Sequence, residues 1–252
     1  MSSIVSVRDL RKRYGQIEAV KGISFDVEEG EVFGLLGPNG AGKTTTVEIL
    51  EGLRRADAGT AVVSGVDVTR DPAGVKRRIG VQLQASAFPE NLSAKEVVEL
   101  FGIFYGRTVD AMALLRAVDL ADRAGQRQEK LSGGQRQRLS IAVALVNEPR
   151  VVFLDEPTTG LDPQARRNLW GLVRGIRDRG VTVLLTTHYM DEAEVLCDRV
   201  AIMDAGRILK LAPPRELVVE LLERGFSKPA IQQQANLEDV FLDLTGHALR
   251  ED

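Results

Sequence analysis

The sequence predicts an α/β fold, in which short buried strands alternate with helices. Three largely apolar segments lack the alternation of apolar and polar residues that marks a half-exposed strand, so we expect strands buried on both faces. These strands are predicted at residues 32–36, 151–154 and 181–185. Helical patterns follow at about residues 42–50, 133–146 and 164–177. The chain has 252 residues and no long linker, so we expect these elements to share a sizeable core.

The remaining elements follow from the same rules, taken along the chain. Further strands are predicted at residues 4–7, 25–27, 61–65, 200–203 and 208–209. Further helices are predicted from about residue 92, at 214–224 and at 237–244. Ser93 and Glu96 form the S-x-x-E pattern that caps the N-terminus of a helix, which supports the helix near residue 92.

Composition argues against several classes of function. The formal net charge of −3 disfavours broad nucleic-acid binding through bulk positive charge. The single cysteine, Cys197, excludes an internal disulfide, and two histidines leave little for a His/Cys metal site. The chain has neither an apolar run of about 18 residues nor an N-terminal secretory pattern. We therefore expect a cytoplasmic protein that only a partner would hold at a membrane.

A glycine-rich loop lies between the first buried strand and the first helix. It matches the pattern G-x-x-x-x-G-K-[ST] through Gly37, Pro38, Asn39, Gly40, Ala41, Gly42, Lys43 and Thr44. Such glycines let backbone N–H groups turn towards phosphate oxygens, and the helix N-terminus favours negative charge. Lys43 can reach the β- and γ-phosphates, and the Thr44 hydroxyl can ligate Mg²⁺. The alternative is a plain glycine-rich turn before a surface helix, which the placement disfavours. The loop predicts a P-loop NTPase.

Two acidic residues end the buried strand at residues 151–154. Asp155 is predicted to hold Mg²⁺, directly or through water, and Glu156 to act as the general base on the attacking water. A hydrophobic strand that ends in two acids is common by itself. Together with the phosphate-binding loop, the pair predicts a nucleotide-hydrolysing site.

A second predicted anion-binding element starts the helix at residues 133–146. Ser132 precedes Gly133 and Gly134, so a hydroxyl and exposed N–H groups gather at one helix N-terminus, and Gln135 follows. One nucleotide does not need two phosphate cradles from the same chain. The second cradle makes sense if it acts on the γ-phosphate that another copy holds.

The pentapeptide Leu131 to Gln135, with Arg136, Gln137 and Arg138 after it, resembles the signature motif of the ABC (ATP-binding cassette) ATPases. Other residues resemble further elements of that family, in the family's order. Tyr14 resembles the aromatic residue that stacks on adenine. Residues 159–162 resemble the D-loop, which crosses the dimer interface. His188 resembles the switch histidine that hydrogen-bonds the γ-phosphate.

Gln84 resembles the Q-loop glutamine, which contacts Mg²⁺ and the attacking water and reports nucleotide state to the membrane partner. Gln82 is a nearby alternative, and the spacing after Ile79 and Gly80 favours Gln84. The resemblance thus implies ATP and Mg²⁺ as ligands, catalysis by Glu156, His188 and Gln84, and metal binding by Thr44, Gln84 and Asp155. The implied nucleotide-binding residues are Tyr14, Gly37, Pro38, Asn39, Gly40, Ala41, Gly42, Lys43, Thr44, Thr45, Ser132, Gly133, Gly134 and Gln135.

The resemblance also implies an architecture. It is a RecA-like P-loop NTPase core with an N-terminal antiparallel β subdomain and an inserted α-helical subdomain at about residues 85–148. The ABC ATPase domain would span residues 1–212, with a short C-terminal helical extension at 213–252. About 40 residues after Leu211 leave no room for the long regulatory domain of sugar-importer cassettes.

The implied function is that of the ATP-binding subunit of an ABC transporter, which hydrolyses ATP in a head-to-tail dimer to drive a separate membrane permease. Residues 187–194 and 236–246 resemble the ABC-2-type, daunorubicin-resistance-like exporters, which implies export of a drug-like or lipophilic compound. The protein would lie on the inner face of the cell membrane. Its docking surface would include some of the aromatic residues Phe88, Phe101, Phe104 and Tyr105.

Two alternatives stay open. A soluble ABC ATPase could act on ribosomes or DNA, but the tandem cassettes, long coiled coils and zinc modules of those proteins are missing from this sequence. A nucleotide-sensing module without turnover is the other, and the intact pair Asp155 and Glu156 argues against it. The sequence names neither the cargo nor the permease, and it does not decide between a homodimer and a heterodimer.

Overall fold

Two β-sheets with helices packed against them form the fold in a computed structural model, which describes residues 3–82, 88–227, 240 and 243–244. The strands are β1 (Ser3–Tyr14), β2 (Ile17–Glu28), β3 (Val32–Leu36), β4 (Ala58–Val63), β5 (Val66–Asp67), β6 (Ile79–Gln82), β7 (Val151–Asp155), β8 (Thr182–Thr187), β9 (Arg199–Asp204) and β10 (Arg207–Ala212). The helices are α1 (Lys43–Leu50), α2 (Pro72–Lys76), α3 (Ala94–Phe104), α4 (Ala111–Ala117), α5 (Gly133–Ala144), α6 (Pro163–Asp178), α7 (Met190–Leu196) and α8 (Pro214–Glu223).

One sheet is antiparallel, with the strand order β2-β1-β4-β5. Sequence analysis predicts only short strands at 4–7 and 25–27, whereas β1 and β2 each extend over 12 residues. The prediction was too short because the outer parts of both strands carry charged and polar side chains that face solvent. Pairing with a neighbouring strand, rather than local hydrophobicity, holds those parts extended.

The other sheet has the order β10-β9-β3-β8-β7-β6. Its strands are parallel except for β10, which pairs with β9 in antiparallel fashion. The carboxyl ends of β3, β7 and β8 therefore meet at one edge, where α/β sheets bind their ligands. Asp155 lies opposite Thr186 in this register, and Leu36 lies opposite Thr187. The predicted α/β class, with buried strands at the centre, is confirmed.

Three helices, α3, α4 and α5, lie between β6 and β7 and pack on one another. Ser93 and Glu96 form the predicted capping box at the start of α3, since each side chain bonds to the other residue's backbone N–H. The same stretch contains short 3₁₀ turns at Ala121–Arg123 and Gln128–Lys130. The proposed boundaries at 85–148 and at 212/213 stay predictions.

Sequence analysis does not predict β5, β6, α2 or α7, which are too short to show a clear period. Two predictions fall wholly or largely outside the described residues: Gln84, and the helix at 237–244. In the part of the chain that the structure describes, no helix is both long and apolar enough to cross a membrane.

Candidate functional site

The glycine-rich loop runs from the end of β3 into α1, and its backbone packs closely against the backbone of neighbouring segments. A Cβ atom at Gly37 would lie 2.2 Å from the Met203 carbonyl oxygen, and one at Gly42 would lie 2.4 Å from that of Ala19. Gly42 is also the N-cap of α1 and has a φ of 99°, in the region that favours glycine. A larger residue would displace the loop, so these positions need glycine for close packing as well as for conformation.

Lys43 is the buried cation of this loop, with 4% of its surface exposed. Its Nζ donates to the carbonyl oxygens of Gly37 (2.7 Å) and Pro38 (3.2 Å) and lies 3.8 Å from Glu156 Oε1. Burial lowers the pKa of Lys43, and the carboxylates of Glu156 and Asp155 oppose that shift. Phosphate oxygens are stronger acceptors than these carbonyls, so Lys43 has a donor group ready for a bound nucleotide.

Asp155 ends β7 and is buried beside β8. The Thr186 hydroxyl donates a hydrogen bond to Asp155 Oδ1, and the same Oγ1 accepts one from the Glu156 N–H at 3.0 Å. Burial raises the pKa of Asp155, and the Thr186 hydrogen bond opposes the rise. Sequence analysis missed Thr186, although a threonine near the carboxyl end of an otherwise apolar strand is a usable signal.

Glu156, the candidate general base, has a strained backbone conformation and lies close to His188 and Thr159. Its φ of 47° lies in the left-handed region that non-glycine residues rarely adopt, and such strain clusters at functional sites. Its Oε1 lies 3.4 Å from His188 Nδ1, and its Oε2 accepts from the Thr159 hydroxyl at 3.3 Å. The hydrogen-bonding neighbour His188 lowers the pKa of Glu156, while burial opposes this. The carboxylate is therefore ionised at neutral pH, as a proton acceptor must be.

Lys43 and Glu156 line one cleft of about 1260 Å³, which is large enough for a nucleotide, whereas Asp155 is not among its lining residues. The cleft is lined by Tyr14, Ile17, residues 38–45, Glu156, Thr159 and His188, among others. Tyr14 is 39% exposed, with the Arg54 guanidinium carbon 5.2 Å and the Lys12 Nζ 5.6 Å from its ring centroid. Ile17, which sequence analysis missed, adds exposed apolar surface near this ring.

The second predicted anion-binding element, residues 132–135, does not line this cleft. Ser132 is the N-cap of α5, and its Oγ accepts from the Gln135 N–H at 3.3 Å. Gln135 Oε1 accepts from the Ser132 N–H at 2.9 Å in return, which completes a capping box. A Cβ atom at Gly133 would meet no other atom within 4 Å, so this helix end is open.

Thr44 and Asp155 are the described residues that fit a magnesium ion. Thr44 is exposed at the start of α1, and Asp155 supplies a carboxylate near the buried Lys43. Mg²⁺ commonly binds through one or two carboxylates, substrate phosphates and water, so few protein ligands suffice. The third predicted ligand, Gln84, lies outside the described residues. Gln82, its alternative, is fully buried in β6 opposite Leu154.

Glu51 is a further unusual group that sequence analysis missed. It follows α1, has 1% of its surface exposed, and neither carboxylate oxygen has a hydrogen-bond partner among the described residues. Burial, followed by the charges of Asp155 and Glu48, raises the pKa of Glu51 to about 8. A glutamate at the end of an apolar helix was the available signal.

Comparison with known proteins identifies the family. The sequence profile described as ABC transporter matches residues 20–159. Over 221 residues the chain is 46% identical to the daunorubicin resistance ATP-binding protein DrrA3 of Streptomyces coeruleorubidus, covering 86% of this chain and 70% of that protein. It is 43% identical to the Nod factor export ATP-binding protein I of Ralstonia nicotianae, covering 85% and 68% of the two chains.

A solved structure has the same fold. It is a dimeric ATP-binding cassette in a post-hydrolysis state bound to ADP and Pi. The match has a TM-score of 0.75 and 27% identity, and covers 83% of this chain and 98% of that chain. The family match spans more than half of the sequence and includes the glycine-rich loop, the 131–135 motif and the acidic pair. The chain therefore belongs to the ABC transporter family and is one of its ATPases.

Proposed function

We propose that two copies of this chain bind two ATP molecules head to tail and drive export through a separate membrane permease. One observation carries the proposal: the two predicted phosphate-binding elements do not share a cleft. At the N-terminus of α5, the Ser132 side chain caps the helix by accepting a hydrogen bond from the Gln135 N–H. The space beside Gly133 is open. In a head-to-tail pair, this end would complete the cleft of the other copy.

Within each cleft, the loop of residues 37–42 would bind the phosphates through its backbone N–H groups. Lys43 would exchange the Gly37 and Pro38 carbonyls for β- and γ-phosphate oxygens. Thr44 and Thr45 would add hydroxyl or backbone donors at the start of α1. Tyr14, partly exposed at the cleft, would stack on the adenine.

Mg²⁺ would be held by Thr44, by Asp155 directly or through water, and by Gln84. When bound, it neutralises charge that develops on the phosphates during hydrolysis. Asp155 itself is oriented by Thr186, whose hydroxyl bonds both this carboxylate and the Glu156 N–H.

Glu156 would orient the attacking water and accept its proton. His188, 3.4 Å from that carboxylate, would hydrogen-bond the γ-phosphate and keep Glu156 ionised. Loss of the γ-phosphate contacts would weaken the pair of copies and reopen it, because ATP and ADP make different contacts in the closed state. ATP binding and hydrolysis would thus switch the dimer between two states.

The permease would dock near the C-terminal end of α3. Ile103 and Phe104 expose 71% and 68% of their surfaces, and Tyr105 follows with 41%. Phe88 and Phe101 pack edge to face beneath them, with ring centroids 6.3 Å apart. Two large exposed apolar side chains next to an aromatic cluster are typical of a docking surface. Docking there would place the protein on the cytoplasmic face of the cell membrane.

The cargo would be a drug-like or lipophilic compound. This proposal is supported by the two similar relatives, of which one is described as a daunorubicin resistance protein and the other as a Nod factor export protein. The residues that select the cargo would belong to the permease, because the described cleft is lined by groups suited to a nucleotide.

Affinity capture of the tagged chain from detergent-solubilised membranes tests the proposal. We expect a stoichiometric polytopic membrane protein to co-purify, and the double variant Ile103→Ser/Phe104→Ser to lose it. The matched control, Leu222→Ser, changes another exposed apolar residue, on α8, and should retain the partner. Recovery only with ribosomes, DNA-bound proteins or no partner would contradict a transporter and indicate a soluble ABC ATPase.

A further inference from the structure

Glu192 is a buried carboxylate that no step of the proposed hydrolysis uses. It lies on α7 with none of its surface exposed. The Trp170 indole on α6 donates a hydrogen bond from Nε1 to Glu192 Oε1 at 3.1 Å. Burying a carboxylate is costly and an apolar side chain would fill the same space, so packing alone does not account for an acid here.

The carboxylate lies beneath the two loops that carry the proposed catalytic groups. Thr187, Thr158 and the Trp170 indole oppose the rise that burial causes in the pKa of Glu192. Thr187 immediately precedes His188, and Thr158 comes two residues after Glu156. The neighbours that influence the Glu192 carboxyl group therefore adjoin both catalytic residues in sequence.

A second contact joins the same two helices at the loop of His188. The Arg166 guanidinium carbon lies 4.3 Å from the Tyr189 ring centroid, and Arg166 Nη1 lies 3.5 Å from Asp191 Oδ2. The Tyr189 ring is in turn 4.2 Å from the His188 ring, centroid to centroid. Residues four apart on a helix share a face, so Arg166 and Trp170 contact this region together.

We propose that Arg166, Trp170, Tyr189 and Glu192 form a clamp between α6 and α7 that positions His188 against Glu156. Arg166, Trp170 and Glu192 are positioning residues, because none of them lines the nucleotide cleft, whereas Tyr189 lines it beside His188. The inference depends on the proposed function, which assigns catalysis to His188 and Glu156. The clamp explains why a buried acid, a cation and an indole converge behind one histidine.

Two substitutions test the clamp. Trp170→Phe removes the indole N–H and one ring but keeps an aromatic side chain, and Glu192→Gln replaces the carboxyl group by an amide of nearly the same shape. We expect each to lower kcat for ATP hydrolysis about 10-fold, because small displacements of catalytic groups cost up to about 10²-fold. KM for ATP should stay within about twofold, because the phosphate loop is untouched.

Arg166→Gln tests the second contact, and Arg167→Gln is its matched control. Arg167 is exposed on the same helix, where its described hydrogen bond is to Gln164 at 2.9 Å. The proposal predicts a fall in kcat of a few-fold for Arg166→Gln and a wild-type rate for Arg167→Gln. Equal effects of the two substitutions would contradict a specific role for Arg166.

A double-mutant cycle with His188→Ala separates positioning from general destabilisation. If the clamp acts through His188, then Trp170→Phe and Glu192→Gln should have little further effect once His188 is removed. If they only loosen the protein, the 10-fold loss should persist in that background and the clamp is wrong. Thermal unfolding of each variant checks that it is folded. If Glu192→Gln does not fold, Trp170→Phe alone tests the clamp.

The outcomes also distinguish this inference from the proposed function. If His188→Ala and Glu156→Gln both hydrolyse ATP at the wild-type rate, the catalytic assignment fails and the clamp fails with it. If both are slow but the Trp170 and Glu192 effects are additive to His188→Ala, only the clamp fails. Non-additive effects in folded variants support both.

Discussion

The nucleotide cleft and the N-terminus of α5 are both suited to phosphate, yet they are built in opposite ways. At the cleft, contacts between distant parts of the chain position the groups: Glu156 Oε1 lies 3.4 Å from His188 Nδ1, and Thr186 on β8 bonds Asp155 on β7. At α5, two residues three positions apart, Ser132 and Gln135, cap one another. The first site depends on the whole sheet, whereas the second is a local device that one helix provides.

This difference explains why one chain carries an incomplete site. The cleft contains a cation, a candidate metal ligand and a candidate base, but residues 132–135 do not line it. The helix end offers N–H groups but nothing that would bind the rest of a nucleotide. Each region lacks what the other has, so a second copy is the simplest way to join them.

The largest expected effect comes from a substitution of the proposed general base in the cleft. Glu156→Gln should lower turnover by about 10²–10⁴-fold, because the amide accepts no proton from water. ATP binding should persist, since Lys43 and the phosphate loop are unchanged. Phosphate release and equilibrium nucleotide binding measure the two effects, with Glu223→Gln on the exposed end of α8 as the control. Turnover within a few-fold of the wild type would mean that another group is the base.

A smaller effect concerns the buried carboxyl group of Glu51, which follows α1 and does not line the cleft. Burial raises the pKa of Glu51 to about 8, whereas an unfolded glutamate titrates near 4.5. The folded state thus holds a proton that the unfolded state releases. The Glu51 contribution to stability is present below pH of about 4.5 and is lost as pH rises to about 8.

Glu51→Gln should remove this dependence and raise stability near pH 7 by roughly 2–3 kcal/mol, with little difference near pH 4.5. Denaturant unfolding of the nucleotide-free protein across this pH range measures it. A pH-independent difference between the two proteins would indicate that Glu51 is ionised in the folded state.

The smallest expected effect on stability comes from a substitution at the N-terminus of α5. Ser132→Ala should cost about 1 kcal/mol of stability through loss of the helix cap. Ser132→Asp should keep the cap and most of the stability, yet its charge should repel a phosphate and abolish turnover. Thermal unfolding and phosphate release compare the two variants. Full turnover in Ser132→Asp would mean that this helix end does not meet the nucleotide.

Local features of the site could be predicted from the sequence, and long-range features could not. The loop at 37–44 and the caps at Ser93 and Ser132 depend on neighbours within a few residues, and the structure has them where the sequence predicts them. Thr186 matters because parallel pairing brings it opposite Asp155. No periodicity in the sequence reports such a cross-strand contact.

The same distinction applies to the fold. The buried strands β3, β7 and β8 are apolar throughout, so their own residues predict them. The outer parts of β1 and β2 are extended because they pair with each other, and their charged side chains give no hydrophobic signal. A positioning role for Glu192 could likewise not be predicted from the sequence, because its hydrogen-bond partner Trp170 is 22 residues away.

Mixing two inactive variants tests the central claim that each site is shared between two copies. Lys43→Ala disables the cleft and Ser132→Asp disables the helix end, so each protein alone should lack turnover. In an equimolar mixture, we expect about a quarter of the wild-type rate, because half of the dimers are mixed and each holds one intact site of two. If the mixture stays as inactive as its components, the cleft and the helix end do not combine across copies.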